Sequence, residues 1–161
     1  MGIFDFLKSS KLATENKVNV IIGHDPPEFD VSTSLLNLST LSIRDQLVLL
    51  LIAKTRMNNP RTLGLRLDIC DFPGNEGRSI SNLVNSKLVY FAKTNGFGHP
   101  VKYAVTAVGD DFLKNHMIHD GIIEHIKQMN NPDFMLKLVQ AIFDKMRPEY
   151  SAKNPAKSDR V

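Results

Sequence analysis

His116, His119, Asp120, Glu124 and His125 fall within ten positions of one another, and imidazole and carboxylate groups are ligands for zinc, copper or nickel. On a continuous helix, positions 116, 119 and 120 share one face, so a transition-metal site is conceivable. The spacing is looser than that of recognised metal motifs, and a solvated helix face accounts for the same residues. No metal and no cofactor is expected. Other chemistries lack their residues: there is no nucleophile elbow, HExxH, phosphate-binding Gly-rich loop or paired-carboxylate motif, and the GFG of Gly96 to Gly98 is too short for a nucleotide loop. Cys70 follows apolar Ile69 and reads as core rather than as a reactive thiol. An enzyme is not expected.

Composition narrows the class further. With 161 residues, 42% of them hydrophobic and 23% charged, the chain suffices for one folded domain with appendages. A single cysteine forms no internal disulfide, and no Cys/His quartet is present to hold zinc, so a reducing cytoplasm is the expected location. No apolar run approaches the roughly 18 to 20 residues of a membrane span, and MGIFDFLKSSK carries charge inside its short apolar stretch, unlike a signal peptide. Phe6 stands where a myristoylation signal has Ser or Thr. The net charge of +3 is unevenly placed. Residues 54–102 hold eight Lys/Arg against three Asp/Glu, whereas residues 1–53 hold four against six and residues 103–161 eight against eight. A polyanion would meet its positive field in the middle third.

The elements that must carry this charge can be read from periodicity and punctuation. Residues 1–17 alternate Ile3, Phe4, Phe6 and Leu7 with polar residues, as in a short amphipathic helix that docks on the body or, less simply, on a membrane surface. VNVII (18–22) reads as a strand, and Pro26 and Pro27 mark a loop. Ser42 caps a helix, with Asp45 three residues on, that should run to about Met57 and stop at Asn58-Asn59-Pro60. Thr62 to Cys70 fits a strand by alternation and a helix through Leu63, Leu67 and Cys70; helix is favoured. After the DFPGNEG turn, Arg78 opens a third helix with Ile80, Leu83, Val84 and Leu88 on one side and Arg78, Ser79, Ser81, Asn82, Asn85, Ser86 and Lys87 on the other. YFAKT and VKYAV flank NGFGHP as a hairpin, unless the third helix continues through Phe91 to Thr94. Thr106 caps the next helix, which has a possible break at Asp120-Gly121. Asn131-Pro132 starts a last helix that Pro148 ends, with Met135, Leu138, Val139, Ile142 and Met146 as a core or interface stripe.

The segment HPVKYAVTAVGDDFL resembles the signature of MarR- and PadR-like winged-helix regulators. There a wing strand ends in an aromatic and a Thr caps the following helix, with Gly three residues on. Those positions are Tyr103, Thr106 and Gly109, followed by the apolar pair Phe112 and Leu113, and the resemblance spans about seventy residues from Ser42 to Leu113. It implies a mainly α fold with a small β-hairpin, a winged helix-turn-helix with extra C-terminal helices. The expected divisions are an N-terminal extension over 1–40, the winged domain over 41–116, C-terminal helices over 117–148 and a disordered tail over 149–161.

The same resemblance implies a cytoplasmic, homodimeric protein that binds double-stranded DNA, as a transcriptional regulator or a mobile-element accessory factor, with no membrane partner. Ser79, Ser81, Asn82, Asn85 and Ser86, with Lys87 beyond them, are then groove-facing candidates, Asn82 and Asn85 first among them for base contact. Arg78, Arg61 and Thr62 suit phosphates at helix starts. Lys93, Asn95, His99 and Lys102 would lie on or near the wing. The alternative is a winged-helix scaffold for protein partners without sequence-specific DNA binding.

Overall fold

The computed structural model describes residues 17–28, 41–69 and 76–153. The core is built around helix α1 (Ile43–Lys54). Ser42 caps it as expected, its Oγ accepting from the Asp45 N–H at 3.1 Å. Asp45 through Ile52 are buried without interruption, because the run LVLLLI is apolar on every side. Each of these six side chains contributes about 1.5 to 3 kcal/mol by leaving water. The helix ends three residues before the expected Met57, where Thr55 turns extended and its hydroxyl donates to the Leu51 carbonyl at 2.5 Å.

Pro60 does more than stop that helix. It is the first residue of α2 (Pro60–Ile69), and Asn59 Oδ1 accepts from the Thr62 N–H at 2.9 Å. Proline is pre-set for that position, where its missing N–H costs nothing. The strand alternative for this segment is therefore excluded, and Leu63 and Leu67, one turn apart, are both buried. Helix α3 (Glu76–Asn85) starts two residues before the expected Arg78, so Glu76 and Gly77 belong to it; Cys70 and residues 71–75 of the turn lie outside the described residues.

The chain then turns through Lys87, the single non-glycine residue with positive φ (64°) among the described residues, into β2 (Val89–Asn95) and β3 (Pro100–Val105). The extension of the third helix to Thr94 is thus overturned. The hairpin is antiparallel, with Val89 opposite Val105 and Phe91 opposite Tyr103, and register shifts on both sides of Lys93. A third strand, β1 (Ile21–Gly23), pairs with the outer side of β2, Ile22 facing Thr94. Its start is later than the expected Val18, because residues 17–19 are helical. On the far side of β3, the Tyr103 N–H donates to the Asn58 carbonyl at 2.6 Å, so the α1–α2 junction closes the sheet there with one hydrogen bond.

Helix α4 (Ala107–Asn115) follows Thr106 and buries Val108, Phe112 and Leu113. The expected break at Asp120-Gly121 lies earlier, at residues 116–118, before α5 (His119–Lys127). Buried Gln46 fixes it there: its Oε1 accepts from the Ile118 N–H at 3.0 Å while its Nε2 donates to the Leu41 carbonyl at 3.2 Å. Gly121 sits inside α5 where that helix crosses α1, and a Cβ there would stand 3.0 Å from Ile43 Cδ1. The last helix, α6 (Pro132–Lys153), packs on α5 with Met135, Val139, Ile142 and Met146 buried and Leu138 half-buried. It does not end at Pro148. A proline removes one ladder bond and its ring crowds the preceding turn, which bends or weakens a helix without always stopping it. Residues 149–153 are therefore helical, not a disordered tail; residues 154–161 and the N-terminal segment 1–16 lie outside the described residues.

The chain is thus mostly helical with a small three-stranded antiparallel sheet. Among the described residues, no helix is long and apolar enough to cross a membrane.

Candidate nucleic-acid interface

Helix α3 presents Arg78, Ser81, Asn82 and Asn85 on one exposed side, at spacings of three and four, while Ile80 and Leu83 go into the core. Ser79 leaves the set of outward candidates because it is buried. Asn82 is exposed but engaged: its Nδ2 donates at 3.1 Å to Oδ2 of buried Asp45 on α1. Ser42, Arg44, Asp45, Arg78, Ser79 and Asn82 line a polar cleft of about 310 Å³ at this crossing. Asn82 therefore orients α3 against α1, and Asn85 is the amide at the outer end of the exposed face. Ser86 lies past the helix end, half-buried, its N–H donating to the Asn82 carbonyl at 2.9 Å.

The hairpin follows α3 directly in the chain, and β2 packs against that helix. Lys93 and Lys102 are exposed and directly opposite each other across the two strands. Like charges in that relation repel, so the pair is a local cost to the sheet unless an anion offsets it. Asn95 is occupied in shaping the turn: its Oδ1 accepts from the N–H of Phe97 (2.9 Å) and of His99 (3.1 Å). His99 is exposed at the tip, with its ring centroid 6.2 Å from that of Phe97. Arg61 is exposed in the first turn of α2, whereas Thr62 is half-buried and gives its N–H to the Asn59 cap.

From Gly77 to Gly109 the chain has four Lys/Arg and no Asp/Glu. The exposed side of α3, the hairpin and the turn between them are all drawn from this acid-free stretch, and Lys87 in that turn is exposed. Their mutual placement depends on Thr106. Its hydroxyl accepts from the Gly109 N–H at 3.1 Å, capping α4, and donates to the Lys87 carbonyl at 2.5 Å. Its own N–H donates to the Leu88 carbonyl at 3.0 Å. Gly109 permits the approach: a Cβ there would stand 2.3 Å from the Leu88 oxygen. Tyr103, the third residue of the signature, is buried, its ring 5.9 Å from that of Phe91.

The histidine group is dispersed, since the break at 116–118 puts its members on different elements. His116 lies 3.8 Å from Asp111, and His119 stacks on Phe143 at 4.2 Å with 7° between the rings. Burial lowers the His119 pKa from its ordinary value, partly countered by Asp120. Burial also lowers that of His125, and the nearby Arg44 charge adds to the effect. Among the described residues, no three His, Cys, Asp or Glu side chains gather as a metal site would require.

Comparison of the chain with protein-family models, curated proteins and solved structures gave no match. Three contributors to this surface escaped the sequence reading. Asp45 holds Asn82 from 37 positions away, a tertiary relation with no local signal. Lys17 sits 5.7 Å from the ring of exposed Phe97. Phe97 did have a signal, an aromatic between two glycines at a hairpin tip.

Proposed function

We propose that the chain is a winged helix-turn-helix DNA-binding protein in which α3 enters the major groove and the β2–β3 hairpin is the wing. The observation that carries this reading is the acid-free stretch Gly77 to Gly109, which supplies both the exposed polar face of α3 and the opposed pair Lys93 and Lys102. A helix with short polar side chains suits base edges and phosphates, and ammonium groups on a neighbouring hairpin suit the backbone beside the groove. The order of elements supports it too: α1, a backbone bridge from Asn58 to β3, then α2, α3, the hairpin and α4. Within this reading Asn85, Ser81 and Arg78 are the foremost groove and phosphate contacts, Arg61 a backbone contact, and Asn82 a positioning residue. A cytoplasmic regulator acting as a homodimer through its C-terminal helices is the biological form we favour.

Fluorescence anisotropy with a pool of genomic duplexes, repeated across salt concentrations, tests it. The expected result is affinity that falls with salt, a preferred fragment, and a slope reduced by about one for Arg78→Ala. Binding no tighter than that of an unrelated basic protein at low salt, or no change with Arg78→Ala and Asn85→Ala together, overturns it. A second reading, a scaffold for protein partners, is favoured by one observation. Val18, Val20, Ile21 and Ile22 are all exposed on and beside the edge strand β1, and an open edge can recruit another chain.

A further inference from the structure

The hairpin tip has features that phosphate contact alone does not require. Phe97, at the apex, is 45% exposed. The turn that presents it is locked: Asn95 Oδ1 holds the N–H groups of Phe97 and His99, and the Asn95 N–H and carbonyl pair with the His99 carbonyl (2.9 Å) and the Gly98 N–H (3.0 Å). Gly98 has φ of +81°, and the Gly96 N–H donates to the Lys17 carbonyl at 2.7 Å in a contact where a Cβ would not fit. The ring is therefore held out in advance, and little ordering cost remains when it binds. Ammonium groups accompany it: Lys17 Nζ lies over the ring at 5.7 Å from the centroid, and Lys93 and Lys102 face each other farther down the strands.

A rigid apolar ring on a cationic stalk is poorly matched to an apolar protein pocket, which would leave these charges desolvated. It is well matched to a duplex, where phosphates line the groove that the ring enters. We infer that Phe97 is a wedge: it inserts from the minor-groove side into a flexible pyrimidine–purine step, partly unstacks it and kinks the DNA, while Lys17, Lys93 and Lys102 take the flanking phosphates. This rests on the DNA-binding reading above and adds to it a bending activity that needs no base-specific hydrogen bond.

Ring closure by ligase of a duplex of about 100 bp rich in TA steps, shorter than the persistence length of about 150 bp, reads the kink directly. The full chain is expected to raise the closure rate severalfold. Phe97→Ala should lose that gain and bind the linear duplex roughly 5- to 100-fold more weakly, the usual range for a stacked aromatic, with an unchanged salt slope. Phe97→Leu, still apolar, should retain most of the closure. Equal closure by Phe97→Ala, or a wild-type chain that binds the linear duplex without promoting closure, overturns the wedge and leaves DNA binding intact. Absence of any binding to the linear duplex at low salt removes the DNA reading itself, and the wedge with it. A lower mass of the free Phe97→Ala chain by light scattering would mark the tip as a self-association surface and also overturn the wedge.

Discussion

Replacing Thr106 by Val tests the junction on which the arrangement of α3, hairpin and α4 depends. Valine keeps the shape of the side chain and removes the hydroxyl, which makes two hydrogen bonds at a site only 1% exposed. Loss of the cap on the Gly109 N–H costs about 1 kcal/mol. Loss of the donor to the part-buried Lys87 carbonyl costs about 1 to 3 kcal/mol more. The sum, about 2 to 4 kcal/mol, corresponds to a fall in Tm of about 5 to 15 °C for a chain of this size. Urea unfolding followed by circular dichroism measures it, with Thr106→Ser as the control that restores both bonds and should lie within about 1 kcal/mol of wild type. A Val variant within about 0.5 kcal/mol of wild type, the usual size of a surface change, would refute the assignment of these two bonds as the junction's anchor.

Gly109→Ala should be destabilising by at least as much, since the added carbon meets a backbone oxygen rather than a side chain that could move; an unchanged urea midpoint would contradict the approach described. Stability should also fall with acid. His119 and His125 both have lowered pKa values in the folded chain, so folding favours their neutral forms; the stability they contribute is present above their ordinary pKa of about 6.5 and is lost as pH drops through the folded values. The urea midpoint should be lower at pH 5 than at pH 7.5, and His119→Phe, which keeps a ring against Phe143, should narrow the difference. Lys93→Ala with Lys102→Ala should leave stability unchanged or raise it by a few tenths of a kcal/mol, since the opposed charges repel. The same pair should lower the salt slope of DNA binding by about two, read by anisotropy.

Local chemistry was what the sequence made visible. Ser42 and Thr106 cap through bonds three residues long, and the hairpin announces itself by β-branched and aromatic residues around NGFGHP. The ambiguous segment after Pro60 resolved as a helix because Asn59 caps it and Leu63 and Leu67 meet the core together. What stayed hidden depends on contacts distant in sequence. Ser79 and Ser81 look alike as letters, yet two residues of helix rotate one into the core and the other out of it. Asn82 and Asn85 look equivalent as base readers until Asp45 engages the Asn82 amide, and the break before α5 is placed by Gln46, 72 positions away from Ile118. Pro148 misled because a single missing N–H does not outweigh a helix already packed through Ile142 and Met146.

The smallest strand has a consequence for where the folded unit begins. β1 precedes α1 by some twenty residues, yet it and its neighbours satisfy the hairpin: the Ala92 carbonyl takes the His24 N–H at 2.8 Å, His24 Nε2 lies 2.7 Å from Thr94 Oγ1, and the Gly96 N–H is held by Lys17. A chain begun at Leu41 would keep helices α1 to α6 and both hairpin strands, but would strip β2 of its cover and turn it into an open template for other chains. Such a truncation should express as a folded but sticky protein with a loosened hairpin. Residues 17–24 thus brace the outer side of β2 and give the hairpin its stiffness.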